Sequence, residues 1–262
     1  MTSNLLDEFV ELLSQLPPAT WKATLTEGSA GWKWMQPFSN TWVFGHFAAL
    51  FIILGLNDYQ LKGKAEVAYW PKVVPLIPLN SDPEEPLKLI GLLEPFYEQE
   101  RMAKAKVERL HRFLSSKFCS KIWGSNAASI AAGFERIWYA LGRTMNQPPE
   151  KKTIAFAMKC LALALLMVNE TMFDFGAIPV PVDSRILTIS TRLGLPHVNE
   201  QAERERWQQV LERIRKVNPK VTMVHLDSLL WQIGTLSKDE MLTHLVTLGA
   251  GSLAARITEM VR

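Results

Sequence analysis

Pro148-Pro149-Glu150-Lys151-Lys152-Thr153-Ile154-Ala155-Phe156-Ala157-Met158-Lys159-Cys160-Leu161-Ala162-Leu163-Ala164-Leu165 is the stretch on which the reading of the chain turns. Two prolines and a glutamate are helix-start signals, and Ile154, Met158, Leu161 and Leu165 then recur as one apolar stripe. A helix is expected from about Lys151 to Asn169. Lys152, Phe156 and Lys159 stand at i, i+4 and i+7 and share a different face. A lysine in the first turn lies beside the positive end of the helix dipole, with a second ammonium two turns away at ~10 Å. Both effects disfavour the protonated amine, and burial acts in the same direction, so Lys152 is a candidate nucleophile able to form a Schiff base. The plainer readings are a solvated lysine at 152 and, at 159, a stem that snorkels out of a greasy helix.

Outward from this helix the same period continues. Leu5, Phe9, Leu12 and Leu13, then Val107, Leu110, Phe113 and Leu114, then Leu229, Leu230 and Ile233 all show helical spacing, and period-two alternation is almost absent. Proline and glycine clusters at 17–18, 71–86, 148–149, 179–181, 196 and 219 divide the chain into roughly ten helices, with no repeat of solenoid length. With 262 residues, 48% of them hydrophobic, the chain has enough apolar surface for two domains or one domain with two lobes. An all-α protein follows.

Composition removes several function classes. Lys and Arg total 29 against 26 for Asp and Glu, a formal +3 that suits a polyanionic ligand without requiring one. The two cysteines, Cys119 and Cys160, have neither disulfide-framework nor zinc spacing, so no metal site is expected and a reducing, intracellular setting fits. The acidic, amphipathic N-terminal stretch is no signal peptide, and the greasiest runs, Phe47 to Leu56 and Ile154 to Val168, fall short of the ~20 residues a membrane span needs.

Three further features carry chemistry. Ile178-Pro179-Val180-Pro181-Val182-Asp183-Ser184-Arg185 is held extended by its prolines and delivers Asp183 to the mouth of a helix running from Ser184 to Leu193. There Asp183 is a natural N-cap, a role compatible with electrostatic stabilisation of a developing cation. In His225-Leu226-Asp227-Ser228-Leu229-Leu230-Trp231, Asp227 and Trp231 are helix neighbours able to accept hydrogen bonds from a flat heterocycle and stack on it, or else simply a cap and a core ring. His225 has no partner at metal-ligand spacing. Residues 101–121 carry Arg101, Lys104, Lys106, Arg109, Arg112, Lys117 and Lys121 against Glu108 alone, a better candidate for phosphate contact than the glutamate-interleaved set from Arg204 to Lys220. Nine tryptophans suit both a core and a site that stacks planar ligands.

Taken in order, Glu150 to Lys159, Ile178 to Arg185 and His225 to Trp231 resemble the archaeal 8-oxoguanine DNA glycosylase (AGOG) family of the helix-hairpin-helix glycosylase superfamily. Tyr59-Gln60-Leu61-Lys62-Gly63-Lys64-Ala65-Glu66, followed by Trp70, is a fourth match, and the likeness extends over roughly residues 36–234. The resemblance implies two helical lobes with a helix-hairpin-helix type element and an active-site cleft between them, one lobe of residues 35–170 and the other of 1–34 with 171–262. It implies a bifunctional glycosylase and AP lyase that flips out 8-oxoguanine, excises it through a Schiff base on Lys152 and nicks the strand by β-elimination, with Asp183 as the catalytic aspartate. Phe156 and Trp231 would sandwich the base and Asp227 would read its edge, with Lys159, Trp70 and Gln36 as further base contacts. No metal or organic cofactor is implied. Damaged DNA is the partner, the location is cytoplasmic with the nucleoid, and a monomer contains every part required. The hairpin Gly142-Arg143-Thr144-Met145-Asn146-Gln147-Pro148-Pro149 is longer than the family's and lacks the superfamily's glycines. Two other readings stay open here: a related glycosylase for another damaged base, and a non-catalytic helical DNA-binding module.

Overall fold

The structure, a computed structural model, describes residues 2–171, 173 and 175–261, with side chains from residue 5 onward. It divides into two compact units, a split unit of residues 1–29 with 179–262 and a central unit of residues 30–178. The split unit opens with α1 (Thr2–Ser14) and α2 (Pro18–Thr26). The central unit follows with α3 (Ala30–Met35), a 3-10 turn at Gln36–Asn40, α4 (Phe44–Asn57), α5 (Ala65–Ala68), α6 (Trp70–Val73) and a second 3-10 turn at Val74–Leu76. It continues through α7 (Lys88–Tyr97), α8 (Ala103–Leu114), α9 (Lys117–Trp123), α10 (Ala127–Ala132), α11 (Phe134–Met145) and α12 (Lys152–Met167). The chain then returns to the split unit for α13 (Ser184–Arg192), α14 (Glu200–Arg215), α15 (Met223–Ile233), α16 (Lys238–Thr247) and α17 (Leu253–Met260).

The described residues contain no strand, and none of their helices is long and apolar enough to cross a membrane. Helices outnumber the ten expected because proline-rich stretches form short helices of their own. Trp70–Val73 and Val74–Leu76 each carry proline at the first or second position, where a missing N–H removes no internal bond.

In the central unit α4 packs against α12. Phe47 to Leu56 is buried at every position, as is Ile154 to Leu165 apart from Phe156, and helices apolar on nearly all faces must lie inside. They approach closely at Gly55, where an added Cβ would meet Cys160 Sγ at 2.7 Å and Ala157 Cα at 3.0 Å. Each leucine or isoleucine so enclosed contributes about 2 kcal/mol. In the split unit α1 packs on α14 and α17, and α15 on α2 and α13. The Gln232 amide ties this core together, donating to Thr24 O at 2.6 Å while its oxygen lies 2.9 Å from His244 Nε2.

The start of α4 is fitted to the end of α9 without room for a side chain. A Cβ on Gly45 would lie 2.2 Å from Trp123 O, 2.5 Å from Ile122 O and 2.7 Å from Ser125 O, all backbone atoms that no rotamer change can move. Gly45→Ala should therefore cost about 3 kcal/mol and lower the melting temperature by roughly 10 °C. A melt within about 2 °C of the parent's would mean that the two helix ends do not meet in this way.

Candidate active site

The expected nucleophile follows a stiff hairpin between α11 and α12. Helix α11 ends in a Schellman turn: Gln147 N–H donates to Gly142 O at 2.9 Å and Asn146 N–H to Arg143 O at 3.1 Å. Asn146 supplies the left-handed residue (φ 51°) that glycine usually provides. Gly142 lacks a side chain where Gln147 O and Pro149 crowd it, with an added Cβ at 3.0 Å from that oxygen. Side chains lock the turn: Trp138 Nε1 donates to Pro149 O at 2.7 Å, Arg112 to Met145 O at 3.1 Å, and Thr153 Oγ1 to Gln147 Oε1 at 2.9 Å. Three side-chain hydrogen bonds thus hold this hairpin. Lys152 follows as the first residue of α12, half-buried, with no side-chain cap on Lys151 before it.

Along α12, Ile154, Met158, Leu161 and Leu165 are buried as the stripe predicts. Lys159 does not snorkel: it is 6% exposed, with Nζ 5.8 Å from the centre of the half-buried Phe156 ring. Trp70, at the start of α6, is 2% exposed and meets Phe51 edge-on at 5.7 Å. Gln36 opens the first 3-10 turn, which packs on α12, and its side chain is exposed.

Sequence reasoning missed Asp58. It ends α4 in an inverse γ-turn (φ −78°, ψ 67°), with Tyr59 N–H donating to Asn57 O at 2.9 Å. Trp70 Nε1 donates to its Oδ2 at 3.0 Å. Burial pushes this carboxyl up to about 7 against the opposing pull of the Trp70 hydrogen bond and the Lys152 and Lys106 ammonium groups, while Glu66 adds to the rise. Behind it Tyr69 hydroxyl lies 2.8 Å from that of Tyr97, and burial holds both phenols above their ordinary range. The legible signal was an Asn57-Asp58 pair directly after a ten-residue apolar run.

The basic run at 101–121 divides by role. Lys106 is fully buried, its Nζ 3.7 Å from Glu100, and burial draws its pKa down. Arg109 donates to Leu56 O at the carbonyl end of α4, with its guanidinium 4.4 Å from the Tyr59 ring centre. Arg112 holds the hairpin as described. Arg101, Lys104, Lys117 and Lys121 remain exposed on the surface, Lys104 4.0 Å from Glu108. In the second set, Arg204, Arg206 and Arg213 pair with Glu200, Glu203 and Asp7 at 2.6–2.8 Å.

The split unit assembles the other predicted residues. Ile178 and Pro179-Val180-Pro181-Val182 lead to α13 mostly buried, and Asp183 caps that helix, its Oδ1 accepting from Arg185 N–H at 2.9 Å and Ile186 N–H at 3.1 Å. Arg185 reaches α15: its guanidinium lies 3.6 Å from the Trp231 ring centre and donates to Trp231 O at 3.2 Å. Gly234 makes this approach possible, since a Cβ there would stand 2.8 Å from Arg185 O. Trp231 is half-buried and Asp227 only 3% exposed, one turn apart on α15. No group of three potential ligands able to hold a metal ion occurs among the described residues.

Comparison with known proteins gives a consistent result. The family model described as AGOG, N-glycosylase/DNA lyase, matches residues 10–252. An N-glycosylase/DNA lyase of Methanopyrus kandleri is 31% identical over 142 residues, which cover 54% of this chain and 53% of that protein. The match therefore spans about half the length of that curated relative. Among solved structures, the 8-oxoguanosine complex of Pa-AGOG, the 8-oxoguanine DNA glycosylase from Pyrobaculum aerophilum, superposes with a TM-score of 0.71 at 19% identity, covering 98% of this chain and 97% of that one. At that identity the likeness is one of fold.

Helix α15 carries its own pH dependence. Thr222 and His225 form a capping box in which His225 Nδ1 accepts from Thr222 N–H at 3.2 Å, and burial pushes the imidazole down to about 4. Between pH 4 and 6.5 the unfolded chain binds the proton and the folded chain does not. Stability is therefore complete above pH 6.5 and falls as the pH drops toward 4. His225→Gln keeps a capping-box side chain and removes the titration. In urea melts the parent should lose about 2 kcal/mol more than the variant between pH 7 and 4; parallel losses would mean that His225 is not the titrating group.

Proposed function

The chain belongs to the AGOG family, N-glycosylase/DNA lyase, and from that premise we propose that it is a bifunctional DNA repair enzyme that removes 8-oxoguanine and then cuts the strand as an AP lyase. The observation that carries this reading is the place of Lys152, a half-buried amine on the first turn of the helix that follows the hairpin. An amine set at a helix start behind a hairpin held by side-chain hydrogen bonds is fixed in place for nucleophilic attack.

A base inside a duplex is out of reach, so the nucleotide is extruded at a cost of a few kcal/mol, less for a poorly stacked lesion. Phe156 and Trp231 recover part of that cost by stacking; a base on Trp231 takes the ring face opposite Arg185. Asp227 accepts hydrogen bonds from the base edge, with Lys159, Trp70 and Gln36 as further contacts. Lys152 Nζ attacks C1′ as the glycosidic bond breaks, its electron pair leaving with the base. Asp183, held rigid by two backbone N–H groups, stabilises the positive charge that develops at the sugar. Ring opening gives the C1′ Schiff base; loss of a C2′ proton then expels the 3′ phosphate and nicks the strand. The exposed cations of the 101–121 run offer contacts to the backbone, which position the duplex without reading sequence. A chromosomal substrate places the protein inside the cell, and one chain suffices for the reaction.

Single-turnover release of 8-oxoguanine from a duplex tests this. Lys152→Gln should reduce release and nicking by about 10³-fold or more, and Asp183→Asn by about 10²-fold with its melting temperature retained, because asparagine caps a helix as well as aspartate. Parental rates in Lys152→Gln would remove the lysine from the chemistry.

A further inference from the structure

We propose that Arg185 is the positioning residue that makes Trp231 a rigid stacking surface with one face left for the extruded base, an inference that rests on the reading of Trp231 as a base-stacking ring. The two residues lie on α13 and α15, helices of the split unit that pack against each other. One guanidinium holds Trp231 twice. Its carbon lies 3.6 Å from the ring centre, a van der Waals distance that puts the flat group on the face of the indole and not at its edge. Its Nη1 donates to the carbonyl of the same tryptophan at 3.2 Å. Ring and backbone are thus tied to one planar group, and turning the ring about its side-chain bonds would break the stack. The backbone sets the approach: at Gly234, which follows α15, an added Cβ would stand 2.8 Å from Arg185 O and 2.9 Å from Arg185 Cβ.

A tie between two helices would need only the carbonyl bond. The stacked guanidinium adds properties that matter to a ligand. It occupies one face of the indole, so a flat ring must take the other, and Trp231 is half-buried, which leaves part of its surface open. It also fixes the plane of the ring before a ligand arrives, so less rotamer freedom is lost when one stacks. A cation on one face draws π density toward itself, and the opposite face then favours an electron-rich ring such as a purine. The cap on α13 does not depend on the guanidinium: Asp183 Oδ1 accepts from the backbone N–H of residue 185, a bond that methionine or glutamine at this position retains.

The test titrates the protein, by fluorescence anisotropy, against two duplexes. One contains 2′-fluoro-8-oxodeoxyguanosine, whose fluorine slows loss of the base; the other contains a tetrahydrofuran abasic site, with the same backbone and no base to stack. Duplexes with hypoxanthine or uracil serve as other lesions. Parent, Arg185→Met, Arg185→Gln, Trp231→Leu and the double variant of Arg185→Met with Trp231→Leu are compared. Methionine keeps an unbranched apolar stem and glutamine keeps a donor for Trp231 O, and the abasic duplex reports whether each variant is folded. Arg185→Met should weaken binding of the 8-oxoguanine duplex about 10-fold and of the abasic duplex less than about 2-fold, and Arg185→Gln should follow the same pattern at about 5-fold. Trp231→Leu should remove most of the preference for the lesion, after which Arg185→Met should cost less than about 2-fold more. Equal losses on the lesion and abasic duplexes in both Arg185 variants would overturn the proposal, because Arg185 would then serve the DNA backbone or the fold. Parental affinity of Arg185→Met for the lesion would overturn it, as would an undiminished cost of that substitution in the Trp231→Leu protein. A parent that prefers hypoxanthine or uracil, through Arg185 and Trp231 in the same coupled way, would end the 8-oxoguanine reading and leave the role of Arg185 standing. A parent that excises 8-oxoguanine from an ordinary duplex, with Arg185→Met costing nothing, gives the reverse.

Discussion

The crossing of α4 and α12 at Gly55 is the constraint on which the central unit depends. Two helices apolar on nearly every face have nowhere to go but against each other, and glycine lets them approach until Cys160 and Ala157 touch the α4 backbone. That contact fixes more than a core. It sets the height of α12 relative to α4, and so brings the amine of the first residue of one helix within electrostatic reach of the carboxyl that ends the other.

Ending two greasy helices in a protein interior leaves polar backbone groups that must be satisfied. At the end of α4 two side chains from elsewhere take its carbonyls, Arg109 of α8 that of Leu56 and Tyr69, at the junction of α5 and α6, that of Leu54 at 2.7 Å, while Asn57 of α4 donates to Lys106 O at 3.2 Å. The Lys106–Glu100 pair and the two tyrosines form an ionisable layer beneath Asp58. Burial raises the Asp58 carboxyl to about 7, while Lys106 in this layer pulls the other way. The split unit uses a different device. Asp183 is rigid because it caps α13, and Trp231 is held by the Arg185 guanidinium, a residue two places further along the same helix start.

Local features were legible in the sequence. The limits of α12 follow from its prolines and apolar stripe, Asp183 from its position before a helix, and the Asp227–Trp231 pair from the i, i+4 rule; each depends on residues within a few positions of one another. Long-range features were not. Lys106 and Arg109 read as members of a surface charge run because their spacing says nothing of Glu100, Leu56 O or the Tyr59 ring. Asp58 went unremarked because the Trp70 indole that holds it lies on another helix. In the hairpin Asn146, not glycine, takes the left-handed position that closes the turn, which only the backbone angles reveal.

The central claim is that the Lys152 nitrogen becomes bonded to C1′ of the damaged nucleotide. The most direct measurement is to reduce the complex with an 8-oxoguanine duplex by borohydride, digest protein and DNA, and sequence the modified peptide by mass spectrometry. The account predicts the deoxyribose remnant on Lys152 within the peptide that contains the start of α12. A remnant on Lys159 or any other lysine, or release of 8-oxoguanine with no adduct at all, would contradict it.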